Sequence, residues 1–278
     1  MDLPTAPPTL PGASPCPASI GVFDSGVGGL SVLRELRTQL PSAPLLYVAD
    51  SGHAPYGERS DAYVIERSRH IALHLRAQGA IGIVVACNTA TAIAVRHLRE
   101  LMPELPIVGV EPGLKPAVAA TRNGRIGVLA TPGTLASEKF QRLLQAQAGV
   151  TVLARPCPGL ARLIEQGDLA APALRAAIEA HCAALRAADV DTVVLGCTHY
   201  AFIRDHIEAA MGAQVRIIDT AHAVARHTVR TLAGRFADPG PAGAKSSAVT
   251  RLQTTGEPQR LREIASAWLA FPCTVEGI

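Results

Sequence analysis

The stretch Thr192-Val193-Val194-Leu195-Gly196-Cys197-Thr198-His199-Tyr200 decides the fold. An apolar run of strand length stops at a glycine, and a cysteine, a threonine and a histidine follow at once. Strands buried on both faces of a parallel sheet read as such runs, and open α/β sheets bind ligands where their strands end. The same pattern stands earlier, at Ile83-Val84-Val85-Ala86-Cys87-Asn88-Thr89-Ala90. One cysteine at a strand end is ordinary. Two of the same design point to thiols that work as a pair.

Outward from these two strands, apolar runs alternate with helical periodicity. Ser19 to Phe23 reads as a strand, Asp24-Ser25-Gly26-Val27-Gly28-Gly29 as its turn, and Leu30 to Leu40 as a helix. Leu45 to Asp50 is the next strand, followed by a loop through His53-Ala54-Pro55-Tyr56-Gly57. Asp61 to Gln78 reads as a helix with Ile65, Ile71, Ala72 and Leu75 inward, and Ile107 to Pro112 as a strand. Alternation of this kind builds a parallel sheet covered by helices on both faces. The pattern then restarts. Arg125-Ile126-Gly127-Val128 repeats Ile20-Gly21-Val22, and Thr131 returns a hydroxyl where Ser25 stood. A strand (150–154), a loop with Cys157, a helix (171–187), the second cysteine strand, a strand (215–219) and a helix (221–232) follow.

The expected fold is therefore α/β: two similar open parallel-sheet units, related by a pseudo-twofold and facing each other across a cleft with a thiol on either wall. Residues 19–114 plus 221–278 form the first unit, because the strand at 248–254 is expected to return to it. Residues 115–220 form the second, and the two chain crossings suit a hinge. The proline-rich residues 1–18 read as a mobile tail, and 237–247 as a loop.

Bulk properties exclude several classes. A chain of 278 residues with 48% hydrophobic and 18% charged residues is an ordinary globular composition. A net charge of +3 without basic blocks gives no nucleic-acid partner. No apolar run approaches the roughly 18–20 residues that span a bilayer. The start, Met1-Asp2-Leu3-Pro4, lacks the basic and apolar regions of a secretory signal, so reduced thiols in the cytoplasm are expected. Cys16, Cys157, Cys182 and Cys273 are left to the ordinary role of small buried residues.

Two opposed thiols suit inversion at a carbon that bears an acidic hydrogen. One base removes the proton from one face, and an acid returns one to the other. A thiol pKa near 8.5 can fall at a helix N-terminus, which brings thiolate and thiol within reach near neutrality. The rival readings explain less. Zinc needs about four ligands, and Cys197 with His199 supplies two. A disulfide conflicts with a reducing compartment, and a cysteine hydrolase leaves one thiol without a role. Pyridoxal phosphate needs a lysine, and Lys115, Lys139 and Lys245 all lie outside the strand ends. No metal and no cofactor are expected.

The segments Phe23 to Leu30, Pro55-Tyr56-Gly57, Ala86 to Ala90, Glu111-Pro112-Gly113, Gly196 to Tyr200 and Thr254-Thr255-Gly256 resemble the glutamate racemases of the aspartate/glutamate racemase family. The resemblance covers about residues 19–270. It implies cofactor-independent interconversion of L- and D-glutamate, which supplies D-glutamate for peptidoglycan, with Cys87 and Cys197 as the two acid/base residues. Asp24 and His199 are implied to assist them, as is Glu165 after Pro158, although Gly159 to Ile164 departs from the family's usual sequence. Asp24, Ser25, Tyr56, Gly57, Asn88, Thr89, Thr131, Thr134, Thr198 and His199 are implied to bind the substrate. A homodimer, and a cell-wall precursor as activator, are the partners it suggests. Aspartate racemase is the nearest rival and differs at the first glycine turn, while an amino-acid-binding protein on the same fold would not need both thiols.

Overall fold

Both cysteine strands sit beside the opening strand of their own sheet, at the place where strand order reverses. The computed structural model describes residues 18–235 and 250–278. In chain order the elements are β1 (Ser19–Asp24), α1 (Leu30–Gln39), β2 (Leu45–Ala49), α2 (Asp61–Ala77), β3 (Ala80–Val85), α3 (Asn88–Leu101), β4 (Ile107–Gly109) and α4 (Leu114–Ala120). There follow β5 (Arg125–Ala130), α5 (Pro132–Ala136), α6 (Glu138–Gln145), β6 (Thr151–Pro156), α7 (Leu160–Glu165), α8 (Pro172–Ala187), β7 (Thr192–Gly196), α9 (Arg204–Met211) and β8 (Arg216–Ile218). Last come α10 (Ala221–Thr231), β9 (Thr250–Thr254), α11 (Pro258–Trp268) and β10 (Thr274–Gly277), with short 3-10 turns at Ser51–His53, Tyr56–Glu58 and Thr198–Ile203.

One sheet has the order β10-β9-β2-β1-β3-β4 and the other β6-β5-β7-β8. Every pairing is parallel. Stripped of β9 and β10, the first sheet has the same order as the second. The internal repeat is thus one architecture built twice. Its crevice lies between the first and third strands, where doubly wound sheets bind ligands. The strand β9 pairs with β2 along Leu45 to Ala49, so the chain does return to the first sheet.

Alternate residues of each strand go to opposite faces, as period-2 geometry requires. Val84 packs with Ile20 and Leu33 on one face, while Ile83 and Val85 pack with Ile71 and Leu98 on the other. In the second sheet Val193 and Leu195 join Leu174 and Ile178, and Val194 joins Leu114 and Phe140. Phe202 stacks on Trp268 at 3.8 Å between ring centroids, tying the 3-10 turn after β7 to α11.

Several expectations are corrected. The buried stripe of α2 runs through Val64, Ser68, Ile71, Ala72 and Leu75, while Ile65 is half-buried. Positions 64, 68, 71 and 75 keep the i, i+4, i+7 spacing that turns one face inward. The helices α4 to α7 and α9 and the edge strand β10 are not among the expected elements, because each is only 4–8 residues long, too short to show a clear period. Of the expected tail, residues 1–17 lie outside the described residues, as do Cys16, Lys245, the 237–247 loop and the first two residues of the strand expected at 248–254.

Candidate active site

Cys87 closes β3 and is the N-cap of α3, with its Sγ accepting from the Ala90 N–H at 3.5 Å. Its thiol faces the Ser25 hydroxyl at 3.8 Å. A helix N-terminus lowers a thiol pKa, but here the balance goes the other way. Burial pushes the Cys87 thiol far above its ordinary range, the Asp24 carboxylate adds to that, and the Ala90 N–H offsets only part. The expectation of a thiol poised near neutrality is therefore corrected for Cys87: desolvation outweighs the helix end.

Cys197 closes β7 and precedes the 3-10 turn at Thr198–Ile203, without a capping hydrogen bond of its own. Both thiols stand between a strand and a helical segment, an α-helix after Cys87 and a 3-10 turn after Cys197, with α9 beginning only at Arg204. What Cys197 has instead is the ring of His199, whose Nδ1 lies 3.6 Å from Sγ. His199 Nε2 meets Glu165 Oε1 at 2.5 Å. Burial works against a charged ring, yet the hydrogen bonds to Cys197 and Glu165 hold the His199 pKa well above the usual imidazole value.

Asp24 ends β1 and is fully buried. Its Oδ1 accepts from the Ser25 hydroxyl at 2.9 Å and the Gly26 N–H at 3.3 Å, and its Oδ2 accepts from the Thr198 hydroxyl at 2.7 Å. Burial raises its pKa, against the opposing pull of His199 and of the two hydroxyls. A carboxylate bonded at both oxygens is the usual way a protein keeps a buried charge.

These contacts cross between the two sheets. Glu165, at the end of α7, accepts from the Val27 N–H at 2.6 Å, and Ser31 donates to the Thr198 carbonyl at 3.3 Å. The glycines of the first turn are needed here. A β-carbon at Gly28 would stand 2.4 Å from His199 Nδ1, and one at Gly26 only 1.8 Å from Glu165 Oε1. The opposite rim is a triangle of hydroxyls: Thr89 lies 2.9 Å from Thr131 and 3.2 Å from Thr134, and Thr131 donates to Thr134 at 3.0 Å. Gly57 closes on that triangle, since a β-carbon there would meet the Thr131 Cβ at 2.5 Å.

The structure thus brings Asp24, Ser25, Cys87, Glu165, Cys197, Thr198 and His199 into one bonded cluster, with Thr89, Thr131, Thr134 and Gly57 along its rim. Asn88 begins α3 beside Cys87, and its buried Nδ2 finds no hydrogen-bond partner among the described residues. An unmet buried donor costs on the order of 1–3 kcal/mol, so it is a ready site for an incoming oxygen. Tyr56 lies in the 3-10 turn after β2, where its hydroxyl donates to Asp50. Among the described residues no group of three or more His, Cys, Asp or Glu is placed to hold a metal.

Sequence reasoning missed four supports. Asp50 accepts from Tyr56, from Arg67 at 2.8 and 3.0 Å and from Thr255 at 2.8 Å. Its signal was available, since Asp50 is a carboxylate at a strand end. Tyr47 donates to the Gly26 carbonyl at 2.5 Å from inside β2, Glu58 accepts from the Gly159 N–H at 2.9 Å, and Arg260 donates twice to the Glu165 carbonyl. Nothing local in the sequence marks those three.

A cavity of about 580 Å³ opens beside this cluster, bordered by Val27, Pro55, Arg162, Glu165, Thr254 and Arg260 among others. The space bordered by Asn88, Cys197 and Thr198 is only about 10 Å³. Glu165 borders the larger cavity, and neither thiol does.

The Asp/Glu/Hydantoin racemase family model matches residues 20–228. A glutamate racemase from Pseudomonas putida is 54% identical over 249 residues, covering 89% of this chain and 92% of that protein. Among solved structures, glutamate racemase isoform RacE1 from Bacillus anthracis superposes with a TM-score of 0.81 at 32% identity, covering 94% of this chain and 97% of that one. Escherichia coli glutamate racemase, in complex with L-glutamate and the activator UDP-MurNAc-ala, gives 0.81 at 31% identity, covering 94% and 100%.

Proposed function

The chain belongs to the Asp/Glu/Hydantoin racemase family, and from that premise we propose that it interconverts L- and D-glutamate with Cys87 and Cys197 as opposed acid/base residues. The observation that carries this reading is the equivalence of the two thiols. Each follows the third strand of a sheet with the same order, beside the first strand's turn. In one direction a thiolate takes the α-proton while the thiol on the opposite wall delivers one, and in the other the roles exchange. Asp24 acts on the Cys87 side through Ser25, and His199 on the Cys197 side. The Asn88 amide and the hydroxyls of Ser25, Thr89, Thr131, Thr134 and Thr198 suit the substrate's two carboxylates, and no cofactor is called for.

The working cleft lies between residues 19–114 plus 221–278 and residues 115–220. In this reading the enzyme acts in the cytoplasm, where it supplies D-glutamate for peptidoglycan. No helix among the described residues is long and apolar enough to cross a membrane. A homodimer, and activation by a cell-wall precursor of the kind bound to the E. coli protein, belong to the same proposal. Following optical rotation with each enantiomer of glutamate and of aspartate tests it. Turnover of both glutamate enantiomers, well above aspartate, is expected. Turnover of aspartate alone would move the substrate assignment, and turnover of neither would point to a binding protein.

A further inference from the structure

Thr254-Thr255-Gly256 has no role among the thiols and hydroxyls described so far, although it follows β9, the strand that returns to the first sheet. The Thr255 N–H donates to the Ala49 carbonyl at 3.2 Å, which carries the β9–β2 pairing past the strand ends. Its hydroxyl donates to Asp50 Oδ1 at 2.8 Å and accepts from the Gly52 N–H at 3.2 Å. So close an approach needs glycine at 52, where a β-carbon would stand 2.5 Å from the Thr255 carbonyl oxygen. Asp50 is fully buried, and each of its oxygens takes two bonds. Oδ1 accepts from Thr255 and from Arg67 Nη2 at 2.8 Å, while Oδ2 accepts from Arg67 Nε at 3.0 Å and from the Tyr56 hydroxyl. A bidentate arginine fixes the plane of the carboxylate, and Thr255 holds the oxygen that Tyr56 leaves free. Tyr56 is buried as well, and its turn runs straight into Gly57, which lies against Thr131 of the opposite sheet.

We propose that Thr255 is a positioning residue for substrate: through Asp50 it holds Tyr56, and so sets the turn at Tyr56–Glu58 against the hydroxyls of Thr89, Thr131 and Thr134. This rests on the glutamate reading above, in which that turn and those hydroxyls form one wall of the substrate site. Among the described residues, the bonds of Thr255 run to Ala49, Asp50 and Gly52 and to none of the groups around the thiols. A mere fastening of β9 to β2 has no need of the hydroxyl, because the backbone bond to Ala49 already supplies it.

Thr255→Val keeps the shape and removes the hydroxyl, whereas Thr255→Ser keeps the hydroxyl. Arg67 still pairs with Asp50 in both, so the fold is expected to stand. In Thr255→Val, KM for both enantiomers of glutamate should rise severalfold while kcat changes less, and Thr255→Ser should return KM toward the wild-type value. Tyr56→Phe cuts the same path further along, so adding Thr255→Val to it should raise KM no further. A wild-type KM in Thr255→Val, or full addition of the two effects in the double variant, overturns the proposal. Hydrogen exchange read by mass spectrometry gives a second measure that needs no substrate. In Thr255→Val, exchange should quicken in peptides over 54–60, where the Arg59 N–H donates to the Tyr56 carbonyl at 3.1 Å, and stay slow over 250–254. Loosening of β9 with the turn unchanged would make the hydroxyl a strand fastener and overturn the proposal. Failure of the wild-type chain to racemise glutamate would fall on the function instead, and the exchange pattern would still decide whether Thr255 holds the turn.

Discussion

Replacing either Cys87 or Cys197 by alanine is expected to abolish racemisation, because return of a proton to the opposite face needs the second thiol. Cys182→Ala should remain active, since Cys182 lies among Leu174, Ile178 and Leu185 in the helical layer behind the sheet. Optical rotation checks all three, and full activity in either strand-end variant would remove the two-base mechanism. A second test follows from the charge beside Cys87. Asp24 raises that thiol's pKa by repulsion, so Asp24→Asn should lower it. The limb of the pH profile of kcat/KM governed by the Cys87 thiolate should then move to lower pH, even as the maximal rate falls. A limb that stays in place would mean that the carboxylate does not reach the thiol. At this scale Asp24, Ser25, Cys87 and Cys197 were readable from the chain, because strand ends carry their chemistry next to an apolar run that announces them, whereas Tyr56, Thr134 and Glu165 came only from the family resemblance. The supports were not readable. Tyr47 looks like any strand tyrosine, and Arg260 meets Glu165 only because two distant helices pack together.

The turn between β1 and α1 separates catalysis from stability at neighbouring glycines. A methyl group at Gly28 would strike His199 and Thr198 on the far side of the cleft, and one at Gly29 would strike Asp24, Tyr47 and Ala86 of its own sheet. Gly28→Ala is therefore expected to reduce kcat strongly with little change in Tm. Gly29→Ala is expected to lower Tm by several degrees, as overpacking costs about 1–3 kcal/mol and each costs about 2–4 °C in a chain this long. Thermal melts and initial rates on both variants distinguish them. A different element is held by Asp191 at the entrance to β7. It accepts from Thr121 at 2.6 Å, the Arg122 N–H at 2.6 Å, the Asn123 N–H at 2.8 Å and Thr192 at 2.9 Å. Burial alone would raise its pKa, but these bonds outweigh it and bring the group down to about 2 from the ordinary 3.8. A carboxyl depressed in this way stabilises the folded chain fully above its unfolded pKa, and loses that contribution as pH falls from 3.8 toward about 2. Asp191→Ala should thus lower stability at pH 7 and flatten the acid limb of the stability curve, read from urea midpoints between pH 2 and 7. Long apolar elements were legible in the sequence for the same reason that Asp191 was not. Periodicity reports burial, whereas a loop's anchor is known only from what lies opposite it.

At the scale of the whole molecule the two sheets are joined by bonds made side chain to side chain and side chain to backbone: Thr198 to Asp24, Glu165 to Val27, Glu58 to Gly159 and Thr89 to Thr131. The architecture was foreseeable from the repeated Ile-Gly-Val strands and their cysteine partners. How tightly the halves meet was not, since it depends on glycines whose purpose lies in the opposite half. The strand order has a further effect on how the protein is made. The four strands of the second sheet, β5 to β8, occupy one uninterrupted stretch of chain, whereas the first sheet waits for β9 and β10 at the carboxyl end. Synthesis runs from the amino end, and domains fold as units while the chain emerges. The half begun first is therefore finished last. Until Thr250 to Thr254 leave the ribosome, Leu45 to Ala49 present an unpaired edge of the kind that recruits other chains. A nascent chain arrested after β8 should yield a protease-resistant fragment from the later half and a digestible earlier half, and release at that length should give aggregates rather than a smaller soluble protein.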